Sequence, residues 1–311
     1  MRGYALGSVA AAAAAALTCL SPSGARAHSD LRACQSLEQK FEQVARSAST
    51  VEINAILFST ADKGCAELAR RVLEAGASVE ARDRLGAMPL SRAAVAGHAD
   101  LVTLLLDNGA KVDARNLDGS TALYRAAEAG RLPSVELLVA RGADVNIPGR
   151  SGTAPLAAAA YMGSEPIVVF LIDKGADLDA RDGEKKGAVV YAAGRGFPEV
   201  VRVLLDRGVA VNARYGNELT ALMWAAGYSS EAGVNDVKKV LTLLIERGAE
   251  LDAKDNRGRT ALMIAAELDH MVAADLLLTA GADKSVKDRQ GKTASDLTSL
   301  TALREKLAAV H

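Results

Sequence analysis

Apolar residues in this chain recur in short stripes at helical spacing, and the stripes themselves repeat in a fixed frame. Leu123, Ala126 and Ala127 share one face of a predicted short helix, within the text TALYRAAEAG that returns as TALMIAAELD from Thr260. A second stripe follows each first one: VTLLLDNGAKVDARN, VELLVARGADVNIPG, VRVLLDRGVAVNARY and LTLLIERGAELDAKD. Here Val102, Leu105 and Leu106 are expected to be buried, together with their equivalents. Gly followed by Ala or Val stands at 76, 109, 142, 175, 208, 248 and 281, so successive units are 33 residues long apart from one of 40.

The polar residues between the stripes fit the boundaries of two helices per unit. Thr121 and Thr260 are placed to cap the first helix, and Gly97, Gly130, Gly163 and Gly196 to end it. Pro133, Pro166 and Pro198 stand where a second helix begins, a position that needs no backbone N–H. The Gly-Ala pair then ends the second helix, and runs such as Arg115-Asn-Leu-Asp-Gly119 supply a turn to the next unit. One unit cannot bury its apolar face alone, so stability has to come from stacking neighbours.

This text resembles the ankyrin repeat, a turn plus two antiparallel helices every 33 residues. The resemblance runs over residues 50–288 in about seven units (50–82, 83–115, 116–148, 149–181, 182–214, 215–254 and 255–287), the first of them degenerate. It implies an all-α solenoid whose helix-turn-helix units are joined by turns or short β-hairpins, and a non-catalytic protein-protein interaction role with another protein as partner. Residues 289–311 open a truncated last unit. Ahead of the array, Leu31 to Arg46 predicts a helix with Leu31, Leu37, Phe41 and Val44 on one side, so residues 28–49 are expected to cap the N-terminal end.

Composition explains how such a stack is filled. Hydrophobic residues make up 50% of the chain but aromatic residues only 4%, because alanine pairs let helices approach closely. With 37 basic against 38 acidic residues there is no field to attract a phosphate backbone, and nucleic acid is excluded as an expected partner.

Residues 1–27 have the pattern of a secretory signal peptide: Arg2, an apolar run from Tyr4 to Leu20, then SPSG and Ala25-Arg26-Ala27, which predicts cleavage after Ala27. The mostly alanine run is short for a membrane-spanning helix, so no stable membrane insertion is expected after cleavage. The leader and the array together resemble bacterial periplasmic ankyrin-repeat proteins, and a periplasmic or secreted location is expected. Cleavage removes Cys19 and leaves Cys34 and Cys65. In an oxidising compartment these suggest one disulfide, which would pin the N-terminal helix to the first unit; a pair of buried thiols is the alternative.

Candidate chemistry is sparse. His28, His98, His270 and His311 are scattered, and no Cys/His cluster has metal-ligand spacing, so no cofactor and no catalytic group are expected. His98 starts a second helix, as the resemblance implies for a structural His. His28, as a free N-terminus, offers an amine and a ring to copper, the one redox alternative.

Binding is better supported. The residue before each Ala-Ala pair runs Arg92, Arg125, Ala158, Tyr191, Trp224, Ile264, and four positions later come Ala96, Ala129, Met162, Arg195, Tyr228 and Leu268. Tyr161 adjoins this surface. The candidate partner face is therefore Tyr161, Met162, Tyr191, Arg195, Trp224 and Tyr228, with Arg92 and Arg125 toward one end and Arg150, Asn217, Asn256, Arg257 and Arg259 as a polar rim. Such types dominate interface energies. The extra seven residues of the long unit fall in Gly227–Asp236, beside Trp224 and Tyr228, where they are expected to lie between the two helices. The resulting function is an adaptor or accessory factor for an exported enzyme or envelope complex, with a secreted effector that binds a host protein as the alternative.

Overall fold

The computed structural model describes residues 22–44 and 49–308. The signal-like segment Met1 to Leu20 and the end of the expected capping helix, Ala45 and Arg46, lie outside the described residues. After α1 (Pro22–Val44) come seven helix pairs. They are α2/α3 (Thr50–Lys63, Ala66–Glu74), α4/α5 (Pro89–Ala96, Ala99–Asp107), α6/α7 (Ala122–Glu128, Leu132–Ala140) and α8/α9 (Pro155–Tyr161, Glu165–Asp173). The remaining three are α10/α11 (Ala188–Arg195, Pro198–Asp206), α12/α13 (Ala221–Ala226, Val234–Glu246) and α14/α15 (Ala261–Glu267, Met271–Thr279). A short pair, α16 (Ala294–Leu297) and α17 (Thr301–Ala308), closes the C-terminal end.

The first helix of each pair stacks on the first helix of the next, and the second on the second. The inner row is close because its contact residues are alanine: Ala93, Ala94, Ala126, Ala127, Ala192, Ala193, Ala265 and Ala266 are all fully buried. Thr121, Thr220 and Thr260 each accept the amide of the residue three positions on, at 3.2 to 3.3 Å, and so hold the start of their helices. Pro133, Pro166 and Pro198 lie in the first turn of the outer helices. At the other end Gly109, with φ +88° and nothing near where a Cβ would stand, turns the chain out of α5.

The turn between units is a small closed tip. Asn116 N–H donates to the Ser120 carbonyl, Asp182 N–H to that of Lys186 and Asp255 N–H to that of Arg259, at 2.9 to 3.0 Å. The Asp182 and Asp255 carboxylates accept two tip amides each. Neighbouring tips bond directly, for example Gly183 N–H to Ser151 O at 2.8 Å. The expected β-hairpins reduce to this bonding: among the described residues the one β-bridge is Tyr215 with Leu219. Asn146 and Asn212 tie units together further out, each accepting an amide and donating to a carbonyl of the following unit.

Three expectations are corrected. The N-terminal helix begins at Pro22, within the SPSG expected to break it, and runs through Ala27 and His28; proline in a first turn costs no internal bond. In α5 the fully buried face is Leu101, Val102 and Leu105, while Leu106 is only half-buried, because the outer helix turns its last leucine toward the surface. The extra seven residues are shared between the loop 227–233 and an early start of the outer helix: α13 has 13 residues where α11 has 9, and its first turn buries Val237 completely.

Both ends of the stack are covered. Cys34 of α1 and Cys65, which precedes α3, form a disulfide with a Cα–Cα distance of 5.5 Å. Phe41 is buried against the first pair, and Arg71 bonds Glu38 and stacks over Phe41. Leu37 and Val44 pack on the core as expected; the side chain of Leu31 lies outside the described residues. At the other end Leu303 and Leu307 of α17 are buried.

Candidate functional site

The inner helices α8, α10 and α12 present a cleft of about 310 Å³. Tyr161, Val190, Tyr191 and Trp224 form its aromatic and apolar floor, and Lys186, Arg195 and Glu231 its charged edge. Tyr161 and Tyr191 meet edge to face with ring centroids 5.7 Å apart, a favoured aromatic geometry. The Arg195 guanidinium lies 4.4 Å from the Tyr161 ring centre, and its Nη1 donates to Tyr161 Oη at 3.1 Å and Glu231 Oε2 at 2.7 Å. Lys186 Nζ stands 5.7 Å from the Tyr191 ring and 5.0 Å from Trp224. Both are cation–π distances.

Two absences of side chain open this cleft. Gly194 and Gly227 occupy the column that carries Glu128, Tyr161 and Glu267 in other units, and both line the cavity. The insertion supplies the wall opposite: Ser229 N–H donates to Gly194 O at 2.9 Å, and Ser229, Ser230 and Glu231 face the cavity. Sequence reading missed Lys186, Gly194, Gly227, Ser229 and Glu231. The two glycines were visible as gaps in an otherwise filled column; Lys186 and the loop residues, lying outside the aligned helix, carried no such signal.

Polar satisfaction is uneven. Tyr191 donates its hydroxyl to Asp182, and burial followed by that carboxylate raises its pKa far above the phenol range. Trp224 Nε1 and Ser229 Oγ, in contrast, are buried with no hydrogen-bond partner among the described residues.

Of the eight candidate face residues, the structure brings together Tyr161, Tyr191, Arg195 and Trp224. Met162 is exposed beside Tyr161 and does not line the cleft. Tyr228 points away and stacks on His270 at 3.9 Å, while His270 Nδ1 bonds the Ala226 carbonyl at 2.9 Å. Arg92 and Arg125 lie in a separate groove of about 790 Å³ toward the N-terminal end, where Arg92 is paired with Asp62 and Asp83 and Arg125 with Glu128.

The expected rim is dismantled in part. Arg259 is 15% exposed and locks the buried Asp255 carboxylate at 2.9 Å, so it fastens a tip. Asn217 and Asn256 bond each other between adjacent tips, Arg150 pairs with Glu128, and only the backbone of Arg257 is engaged. His98 precedes α5 and contacts Asp62 O at 3.3 Å, a packing position. Among the described residues no group of His, Cys, Asp and Glu could hold a metal ion, and no helix is long and apolar enough to cross a membrane. The His28 side chain and His311 lie outside what is described.

A family model described as ankyrin repeats in three copies matches residues 57–149, 112–182, 156–235 and 189–288, which together take in most of the chain. The chain belongs to the ankyrin-repeat family. A solved structure of the human ASB11 ankyrin repeat domain is similar at a TM-score of 0.63 and 27% identity, over 71% of this chain and 96% of that one. A search of curated proteins gives no match. An ankyrin-repeat array is a scaffold for protein-protein interaction, and its curved inner row is an extended binding surface. The cleft lies on that row.

Proposed function

We propose that this ankyrin-repeat protein is an exported adaptor or accessory factor that holds a protein of the envelope, or an exported enzyme, against the inner face of units 149–254. The observation that carries this reading is the cleft itself. In a chain with few aromatic residues, Tyr161, Tyr191 and the single tryptophan converge on one cavity, walled by the one irregular unit. Large rings and arginine around a concavity are the composition of interface hot spots. Export is supported by the signal-like residues 1–27 and by the Cys34–Cys65 disulfide, a bond that persists in oxidising compartments.

The test is affinity capture from the exported fraction with the native protein, a Trp224→Ala variant and a Gly194→Glu variant. A partner retained by the native chain and lost by both variants, each with unaltered circular dichroism, supports the reading; a partner held equally by all three refutes this face. Fractionation of cells decides the location: mature chain in the cytoplasm removes the exported role, and chain released to the medium favours the effector alternative.

A further inference from the structure

The buried unpartnered groups of the cleft are an indole N–H and a hydroxyl, and two cations stand at its edge. Among the described residues Trp224 Nε1–H has no acceptor, and Ser229 Oγ has no partner. Arg195 bonds through Nη1 alone, which leaves Nε and Nη2 without an acceptor among the described residues. Lys186 Nζ meets one carboxylate, Glu184, at 2.6 Å and has three protons to give. Each carboxylate nearby already holds a donor: Asp182 takes Tyr191 and tip amides, Glu231 takes Arg195, and Glu184 takes Lys186. Spare donors on an aromatic floor, two of them on cations whose present carboxylate partners are mostly exposed, suit an incoming acceptor that can replace those partners.

We propose that the cleft receives a carboxylate, the side chain of an aspartate or glutamate on the protein partner, with an apolar neighbour laid on Tyr161, Val190 and Tyr191. This deepens the reading of the inner face as the partner surface and rests on it. Lys186 is the movable part. It lies over the indole, and its ionic partner Glu184 is 73% exposed, so the ammonium swings to the incoming anion by giving up an exposed ion pair and its place over the ring, which uncovers the indole side of the cleft. Glu231, 70% exposed on the insertion loop, yields Arg195 to the same anion. An ammonium or guanidinium ligand is disfavoured, since Lys186 and Arg195 already occupy the ring faces that would attract one. Hydrogen bonds from charged donors to a carboxylate are the stronger class, which makes the acidic group the discriminating element.

Trp224 is the only tryptophan in the chain, so its fluorescence reports from this site alone. The full protein is titrated with the acetylated, amidated peptide Ala-Leu-Glu-Leu-Ala and with its glutamine counterpart. The expected result is a saturable change in Trp224 emission, with the glutamate peptide binding roughly tenfold or more tightly and weakening as salt rises. Arg195→Gln and Lys186→Gln keep the side-chain stems and should each cost about tenfold for the glutamate peptide alone. Trp224→Phe, followed by calorimetry, should reduce the preference for glutamate. Circular dichroism of each variant controls for folding. Equal binding of the two peptides, or no saturable response to either at millimolar concentration, overturns the carboxylate assignment. If captured protein partners remain sensitive to Gly194→Glu in that case, the face stands and only its chemistry falls; if they do not, both fall.

Discussion

Gly194 offers the sharpest separation of stability from recognition. It lies inside α10, near its end, with ordinary negative φ, and a helical glycine costs about 0.5–1 kcal/mol relative to alanine. A Cβ built there meets Trp224 Cε3 at 3.5 Å and Trp224 O at 3.7 Å, ordinary contact distances, so Gly194→Ala needs no neighbour to move. Its position one residue from the helix end reduces the propensity gain, and the new methyl contact with the indole restores part of it. The net expectation is about 0.5–1 kcal/mol of added stability. Urea unfolding followed by circular dichroism measures this as a higher midpoint at unchanged slope. Gly194→Glu puts back the residue that Glu128 and Glu267 carry in the same column, and should fold equally well while filling the cleft. Capture of the partner should then fall as stability holds or rises, the pattern of a site kept open at a cost in stability. Destabilisation of Gly194→Ala by more than about 1 kcal/mol would refute the geometry, because a methyl group at normal contact distance has no means of producing it.

Further expectations concern the parts that hold the array together. Serine at both Cys34 and Cys65 should lower stability by about 3–4 kcal/mol in the chain-entropy account of a 31-residue separation, and hydrogen exchange should show α1 opening first. Arg259→Ala leaves the buried Asp255 carboxylate its two tip amides but no counter-ion and should cost about 2–3 kcal/mol in thermal or denaturant unfolding, well beyond the effect of Arg202→Ala on the surface. Asp269 is held at about 2, below the ordinary carboxylate value, by the hydroxyls of Ser299 and Thr298 and then by the amides of Ser299 and Leu300. Since the folded pKa is the lower one, its hold on α17 is complete above about pH 4 and is lost as pH falls toward 2. Amide exchange in α17 should rise over that interval, and Asp269→Asn should abolish the dependence.

The repeating frame was legible in the sequence because it is made of local signals. Thr121 and Thr260 cap where a cap was needed, Pro133, Pro166 and Pro198 begin helices, and the alanine pairs lie in the tight inner row, each set by φ, hydrogen bonding or volume at its own position. The cleft was legible only in part, because its residues come from three helices, a tip and a loop. Tyr191 and Trp224 could be placed from a helical column, whereas the turn of Tyr228 toward His270 depends on a ring in the next unit. Lys186 arrives from a tip whose direction no periodicity encodes. Arg92, Arg125 and Arg259 were taken for surface charge since a sequence shows the cations of a repeat without showing which carboxylate each one meets. The insertion failed to stay between the helices for a simple reason: Val237 had an apolar place to fill, and an added helical turn reaches it.

Asp269 also bears on how many units the array has. In two earlier units the inner helix ends at a glycine over which a ring at the start of the next outer helix closes: a Cβ on Gly163 would come within 2.6 Å of Phe197, and one on Gly64 within 2.7 Å of His98. Asp269 takes the same left-handed turn, at φ +57°, but fills that space with a side chain whose carboxylate binds Thr298 and Ser299. A further unit that opened its outer helix on such a ring would have nowhere to seat it while that carboxylate is in place. Lengthening the array with a repeat that opens on a ring would therefore have to begin with Asp269→Gly.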